Sequence, residues 1–141
     1  MTPVEKEVVR RKLAIIVENL KTLEPIKNMT LEQYASDVYK RKATERLLQE
    51  LIEAAIDINT HIIVQAHNTI VDNYYESFIK MGDLNVIPVE LAKELAPSAG
   101  LRNVLVHEYD ALNNSIILEA VKVASNNYYQ YIDSIEKYIS R

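Results

Sequence analysis

The sequence predicts an all-α protein: an up-and-down bundle of four main helices with a short helical insertion at about 73 to 96, folded as a single domain over residues 1–141. Three observations carry that expectation. The 141 residues include only two glycines and four prolines, too few for the many tight turns of an all-β chain. Apolar residues recur at spacings of three and four over long stretches, the period of a helix with one buried face. The length supports one real hydrophobic core and not two comfortable ones.

The first helix is expected to begin at Thr2-Pro3-Val4-Glu5, where threonine can cap, proline fits the first helical position and glutamate completes a capping box. Val9, Leu13, Ile16, Leu20 and Leu23 continue it as a packed seam, and Pro25 is expected to close it. A second capping box, Thr30-Leu31-Glu32-Gln33, opens the next helix. Leu47, Leu51, Ala54, Ile58 and Ile62 carry that helix toward about His67, with a bend near Tyr39 to Lys42. The segment DNYYESFIKMGD then gives a short helix ended by Gly82, and Pro88 restarts helical structure through PVELAKELA. Pro97 and Gly100 interrupt it. From Asn114 onward, Ile117, Val121, Ala124, Tyr128, Tyr131, Ile135 and Tyr138 form the stripe of a long final helix. Nine tyrosines stand against one phenylalanine, which suits core edges and interfaces where the ring packs and the hydroxyl stays wet.

Composition excludes several functions. There are no cysteines, hence no disulfide framework, thiol nucleophile or cysteine-ligated metal. The charged, amphipathic N-terminus lacks the apolar core of a signal peptide, and no stretch approaches a membrane span, which points to a cytoplasmic protein that does not touch membrane. The net charge of −4 argues against broad capture of nucleic acid, because nonspecific affinity comes mainly from lysine and arginine neutralising phosphates. A nucleic-acid role therefore needs a local basic site or a second subunit.

One decapeptide concentrates chemistry: LRNVLVHEYD, residues 101–110. In a straight helix Asn103 and His107 are i,i+4 neighbours, and Arg102 and Tyr109 share a face two turns apart. Arg102 and His107 lie roughly 140° apart at 100° per residue. They converge only if a helix starts at Arg102 and the long arginine side chain folds over its first turn, a start that Gly100 with Pro97 before it favours and that would attract phosphate through free N–H groups. Imidazole can exchange a proton with a ribose hydroxyl, while guanidinium forks across two phosphate oxygens. Such a pair can cleave RNA without a metal. The same spacing is met by an arginine in a surface salt bridge, a histidine satisfied by Asn103 and a tyrosine at a packing edge.

Arg102-Asn103, the four residues from arginine to histidine, and His107-Glu108-Tyr109 match the R-x4-H-x-Y motif, and the chain resembles the HepT family, the toxin half of HEPN/MNT toxin–antitoxin pairs. The likeness extends from TERLLQELIEAAIDI through GDLNVIPVELAKELAPSAGLRNVLVHEYD to the terminal helix. It implies a HEPN-like fold and a homodimeric, metal-independent endoribonuclease toxin of a type VII pair. Arg102 and His107 would lie in a cleft at the dimer interface. It further implies a cognate MNT-type nucleotidyltransferase antitoxin that adenylylates Tyr109.

Other candidates are weaker. His61 and His67 sit six apart, not at the i,i+4 spacing of two ligands on one helical face, and no HExxH accompanies them. The carboxylates Asp37, Glu45, Glu50, Glu53 and Asp57 could place a polar partner across from His107, with Asp57 an outside candidate, but usually mark solvated faces. VYKRKATER, with Lys40, Arg41, Lys42 and Arg46, could guide RNA backbone or be an ordinary helix surface. With no Gly-rich phosphate loop, nucleophile elbow or zinc pattern, no metal and no cofactor is expected. The reading is an RNA-cleaving toxin in which His107 is general base or acid, Arg102 stabilises the pentacoordinate phosphate and Asn103 orients the imidazole. Its rivals are a catalytically idle HEPN-like module that binds a nucleotide or protein, and a purely structural homodimer.

Overall fold

The computed structural model describes residues 4–107 and 112–141. Among these, seven helices and no strand are found: α1 (Lys6–Lys27), α2 (Leu31–Ala35), α3 (Val38–His67), α4 (Tyr74–Asp83), α5 (Val89–Leu95), α6 (Ser98–Val106) and α7 (Asn114–Ile139). The all-α bundle is as expected. Its three long members are α1, α3 and α7, its fourth is the nine-residue α6, and α4 with α5 is the insertion.

The helical seams meet in one core. Val9, Leu13, Ile16, Leu20 and Leu23 of α1 are buried, as are Leu51, Ala54, Ile58 and Ile62 of α3 and Ile117, Val121, Tyr128, Tyr131 and Ile135 of α7. A fully buried leucine or isoleucine contributes about 1.5–3 kcal/mol, so this core outweighs any single surface contact. α1 packs on both α3 and α7, while α6 packs on α3. Tyr131 locks the bundle with a polar tie: its buried hydroxyl donates to Asn59 Oδ1 at 2.6 Å and lies 3.1 Å from the Ala55 carbonyl oxygen. Tyr34, Tyr128 and Tyr131 are fully buried, deeper than the core edges expected of tyrosine.

Several boundaries differ from the sequence reading. α1 begins at Lys6 with Glu5 as its N-cap, not the third residue of a capping box; Thr2 and Pro3 lie outside the described residues. Pro25 does not close α1 but sits in its last turn, where Leu23 and Ile26 on the buried face hold the helix to Lys27. The second capping box forms: Gln33 N donates to Thr30 Oγ1 and Thr30 N to Gln33 Oε1. It opens only the five-residue α2, and the expected bend is a full break before Tyr39, because Asp37 Oδ1 accepts from Lys40 N and starts α3 afresh.

Gly82 does not terminate α4. It lies inside the helix, and a Cβ there would come 2.8 Å from Ala92 Cβ; the missing side chain lets α4 and α5 touch. The left-handed residue past the helix is Asn85, with φ 59°. Gly100 likewise falls within α6, which begins at Ser98 directly after Pro97.

Candidate active site

α6 buries Ala99 and Leu105 and half-buries Leu101, and this apolar face sets where its polar residues point. Arg102 is the fifth residue of α6, not the first. The expected helix start at Arg102 is therefore corrected: α6 starts a turn earlier, Pro97 is its N-cap, and the free N–H groups of its first turn belong to residues before the arginine.

In place of a helix terminus, three elements hold the guanidinium. Arg102 Nε and Nη2 donate to Glu53 Oε2 on α3 at 3.2 and 3.0 Å, and Nη1 donates to Asn103 Oδ1 at 3.2 Å. The ring of Tyr74, on the first turn of α4, lies 5.3 Å from the guanidinium carbon, within cation–π range. The arginine side chain is one-fifth exposed, so its charge is positioned yet reachable. Among the described residues this use of Nε, Nη2 and Nη1 leaves further N–H groups for a phosphate oxygen, since a guanidinium carries five.

His107 is the C-cap of α6, exposed, with φ −105° and ψ 37°, and its backbone N–H donates to the Asn103 carbonyl at 3.0 Å. Arg102 and His107 thus occupy the middle and the end of one short helix. The side chain of Asn103 turns to Arg102, while its backbone carbonyl meets His107. Tyr109, the expected adenylylation position, lies outside the described residues.

Most of the remaining candidates have structural partners; the exception is Arg41, whose buried Nε has no hydrogen-bond partner among the described residues. His61 Nε2 accepts from the N–H of Glu5 at 3.1 Å, satisfying the start of α1, and His67 Nε2 lies 3.1 Å from the Tyr138 hydroxyl. Asp57 pairs with Lys12 at 2.8 Å. In the basic stretch, Lys40, Lys42 and Arg46 stand 3.9, 3.9 and 3.2 Å from Asp37, Glu45 and Glu50, as on an ordinary solvated helix. Among the described residues no three His, Cys, Asp or Glu side chains come together as a metal site, and no helix is long and apolar enough to cross a membrane.

Two features eluded sequence reasoning. Glu53 was one carboxylate among five, and only the packing of α6 on α3 singles it out. The second is an apolar groove of about 470 Å³ between α3, α5, α6 and α7, lined by Leu48, Leu95, Leu101, Ile116 and Val123 among others. Ile116 and Val123, 60% and 46% exposed, open this groove to water through apolar side chains.

Comparison with known proteins shows the family and the fold. The family model described as Ribonuclease HepT-like matches residues 16–135. The chain is 37% identical over 139 residues to the tRNA nuclease HepT of Aphanizomenon flos-aquae, covering 99% of this chain and 95% of that protein. It is 29% identical over 130 residues to the mRNA nuclease HepT of Shewanella oneidensis, covering 92% and 97%. Among solved structures, the tri-AMPylated Shewanella oneidensis HEPN toxin in complex with MNT antitoxin superposes with a TM-score of 0.82 at 29% identity, covering 92% of this chain and 97% of that one. The cytosolic protein YutE of Bacillus subtilis superposes with a TM-score of 0.86 at 16% identity, covering 99% and 94%, a likeness of fold alone.

Proposed function

Because the chain belongs to the HepT-like ribonuclease family and is an endoribonuclease, we propose that it cleaves RNA by metal-independent transphosphorylation with Arg102 and His107 as the catalytic pair. The observation that carries this reading is the guanidinium of Arg102, held by Glu53, Asn103 and Tyr74 yet partly open to solvent, on the helix that His107 caps.

The chemistry follows from the side chains. A neutral His107 imidazole takes the proton of the ribose 2′-OH; the 2′-oxygen attacks phosphorus, and the bond to the 5′-oxygen breaks. A second imidazole, in its protonated form, gives its proton to that leaving oxygen, which leaves a 2′,3′-cyclic phosphate and a 5′-hydroxyl. Arg102 stabilises the negative charge of the pentacoordinate phosphorane. Since the chain offers one motif histidine, the two imidazoles come from two copies meeting at a shared cleft, and activity requires a homodimer. The apolar groove beside α6 and α7 supports such a pairing. Asn103 then keeps Arg102 aligned in addition to its expected part in orienting the imidazole.

Regulation extends the proposal. Its relative from Shewanella oneidensis is AMPylated and bound to an MNT antitoxin; by analogy this chain is a toxin whose MNT-type nucleotidyltransferase partner adenylylates Tyr109.

The deciding experiment replaces Arg102 and His107 singly with alanine. Each variant should lose RNA cleavage by orders of magnitude while circular dichroism and Tm stay near wild type, because His107 is exposed and Arg102 contributes one partly exposed ion pair. EDTA should leave wild-type cleavage intact. Cleavage retained by both variants would remove the pair from the mechanism.

A further inference from the structure

Beside Arg102 lies a second open groove, of about 700 Å³, formed by the loop entering α4, the first turn of α4 and one face of α6; its lining includes Asp72, Tyr74, Tyr75, Glu76, Gly100 and Asn103. We propose that this groove seats a nucleobase of the RNA, next to the phosphate that Arg102 holds. The inference rests on the ribonuclease reading above and adds to it a subsite that recognises the base rather than the backbone.

Four observations point there. Tyr74 and Tyr75 are 44% and 48% exposed, in a chain that fully buries three other tyrosines. Neighbouring exposed rings are what a single-stranded base stacks on, and every base offers a π-face. The Tyr74 ring also touches the Arg102 guanidinium at 5.3 Å, so the stacking surface and the phosphate anchor are contiguous, as the two ends of one nucleotide require.

Gly100 supplies the space. A glycine inside a helix costs about 1 kcal/mol relative to alanine, and Gly82 has a packing reason for its missing side chain, namely Ala92. Gly100 has none of that kind: a Cβ there would meet nothing within 4 Å. Its bare backbone keeps the α6 wall of the groove open. Finally, Asp72 and Glu76 line the groove with negative charge, which disfavours phosphate inside it. An uncharged base enters, and the backbone stays on the Arg102 side. Asn103, shared by both sites, can donate from its amide nitrogen to a base edge while its oxygen serves the arginine.

The test measures binding of two fluorescent oligonucleotides to the full chain: a short 2′-O-methyl RNA of mixed sequence, which cannot undergo transphosphorylation, and an abasic chain of the same length and charge. Wild type should prefer the base-bearing chain. Tyr75→Ala should weaken binding of that chain roughly tenfold or more and leave the abasic one unchanged. Tyr75→Phe, which keeps the ring, should retain the preference. Gly100→Leu, which adds bulk to the groove wall at a position where a Cβ meets nothing within 4 Å, should erase the preference without changing the fold. No preference in wild type, or an unchanged preference in either Tyr75→Ala or Gly100→Leu, overturns the proposal. Cleavage assayed in parallel separates this from the ribonuclease reading: a wild type that stacks bases but cleaves no RNA sinks that reading and not the groove.

Discussion

Arg102 and Glu53 meet through two donors and one acceptor: Nε and Nη2 of the arginine both donate to Oε2 of the glutamate, at 3.2 and 3.0 Å. An arginine gripped along one edge presents its remaining N–H groups in a fixed direction, and alignment of this kind governs rates steeply. Glu53→Ala should therefore lower cleavage roughly tenfold or more, and Glu53→Gln, which keeps an oxygen acceptor, should lower it less. Neither should shift Tm by more than a few degrees, since a partly exposed ion pair contributes at most about 1 kcal/mol. Single-turnover cleavage rates check this; unchanged rates in Glu53→Ala would mean that Arg102 needs no alignment from α3.

The apolar groove predicts the oligomeric state. Ile116 and Val123 project from α7 at the groove and are exposed in the single chain, so charging them leaves the monomer's own core alone. Light scattering should find wild type as a dimer and Ile116→Asp with Val123→Asp as a helical monomer without cleavage activity. A monomeric variant that cleaves at the wild-type rate would refute the shared cleft.

Three buried phenols predict an alkaline limit to stability. Burial raises the pKa values of Tyr34, Tyr128 and Tyr131, that of Tyr34 to about 12 with repulsion from Glu45 adding to the effect. The unfolded phenol titrates near 10. Below that pH both states keep the proton and stability does not depend on these groups. Above it the unfolded chain ionises first, so stability falls as pH rises from about 10 toward 12, by up to roughly 1.4 kcal/mol per pH unit for each phenol. Thermal melts should be flat near pH 9 and fall steeply beyond 10, and Tyr34→Phe should soften the fall. An equally steep fall in Tyr34→Phe would exclude this tyrosine as a contributor.

What the sequence disclosed follows the range of each interaction. The Thr30–Gln33 box and the α7 stripe were legible because their partners lie within a few residues. The break at Asp37 carried a local signal too, an aspartate able to cap, but the strong helical period beyond it suggested one bent helix. Pro25 and Gly82 were misread because their roles depend on distant packing: buried neighbours hold Pro25 inside α1, and Ala92 requires the glycine at 82. The same limit hid Glu53, which meets Arg102 across 49 positions of sequence. The motif itself marked Arg102 and His107, yet the start of α6 at Ser98 shows that helix phase around a short motif is set by Pro97 and the buried Ala99 and Leu105.

Tyr109 offers the sharpest check on regulation. It follows His107 by two residues in the chain, and adenylylation there would add a phosphodiester charge and a bulky nucleoside close in sequence to the proposed catalytic pair. That charge can pair with Arg102 and repel the incoming RNA phosphate, so inhibition needs no unfolding. Co-expression with the proposed MNT-type nucleotidyltransferase partner should add one or more AMP masses to the peptide containing Tyr109 and silence cleavage. Tyr109→Phe should keep much of the activity and escape silencing, because phenylalanine retains the ring without the attachment oxygen. Label found on another tyrosine, or full silencing of Tyr109→Phe, would transfer regulation to a different residue even with Arg102 and His107 proven catalytic.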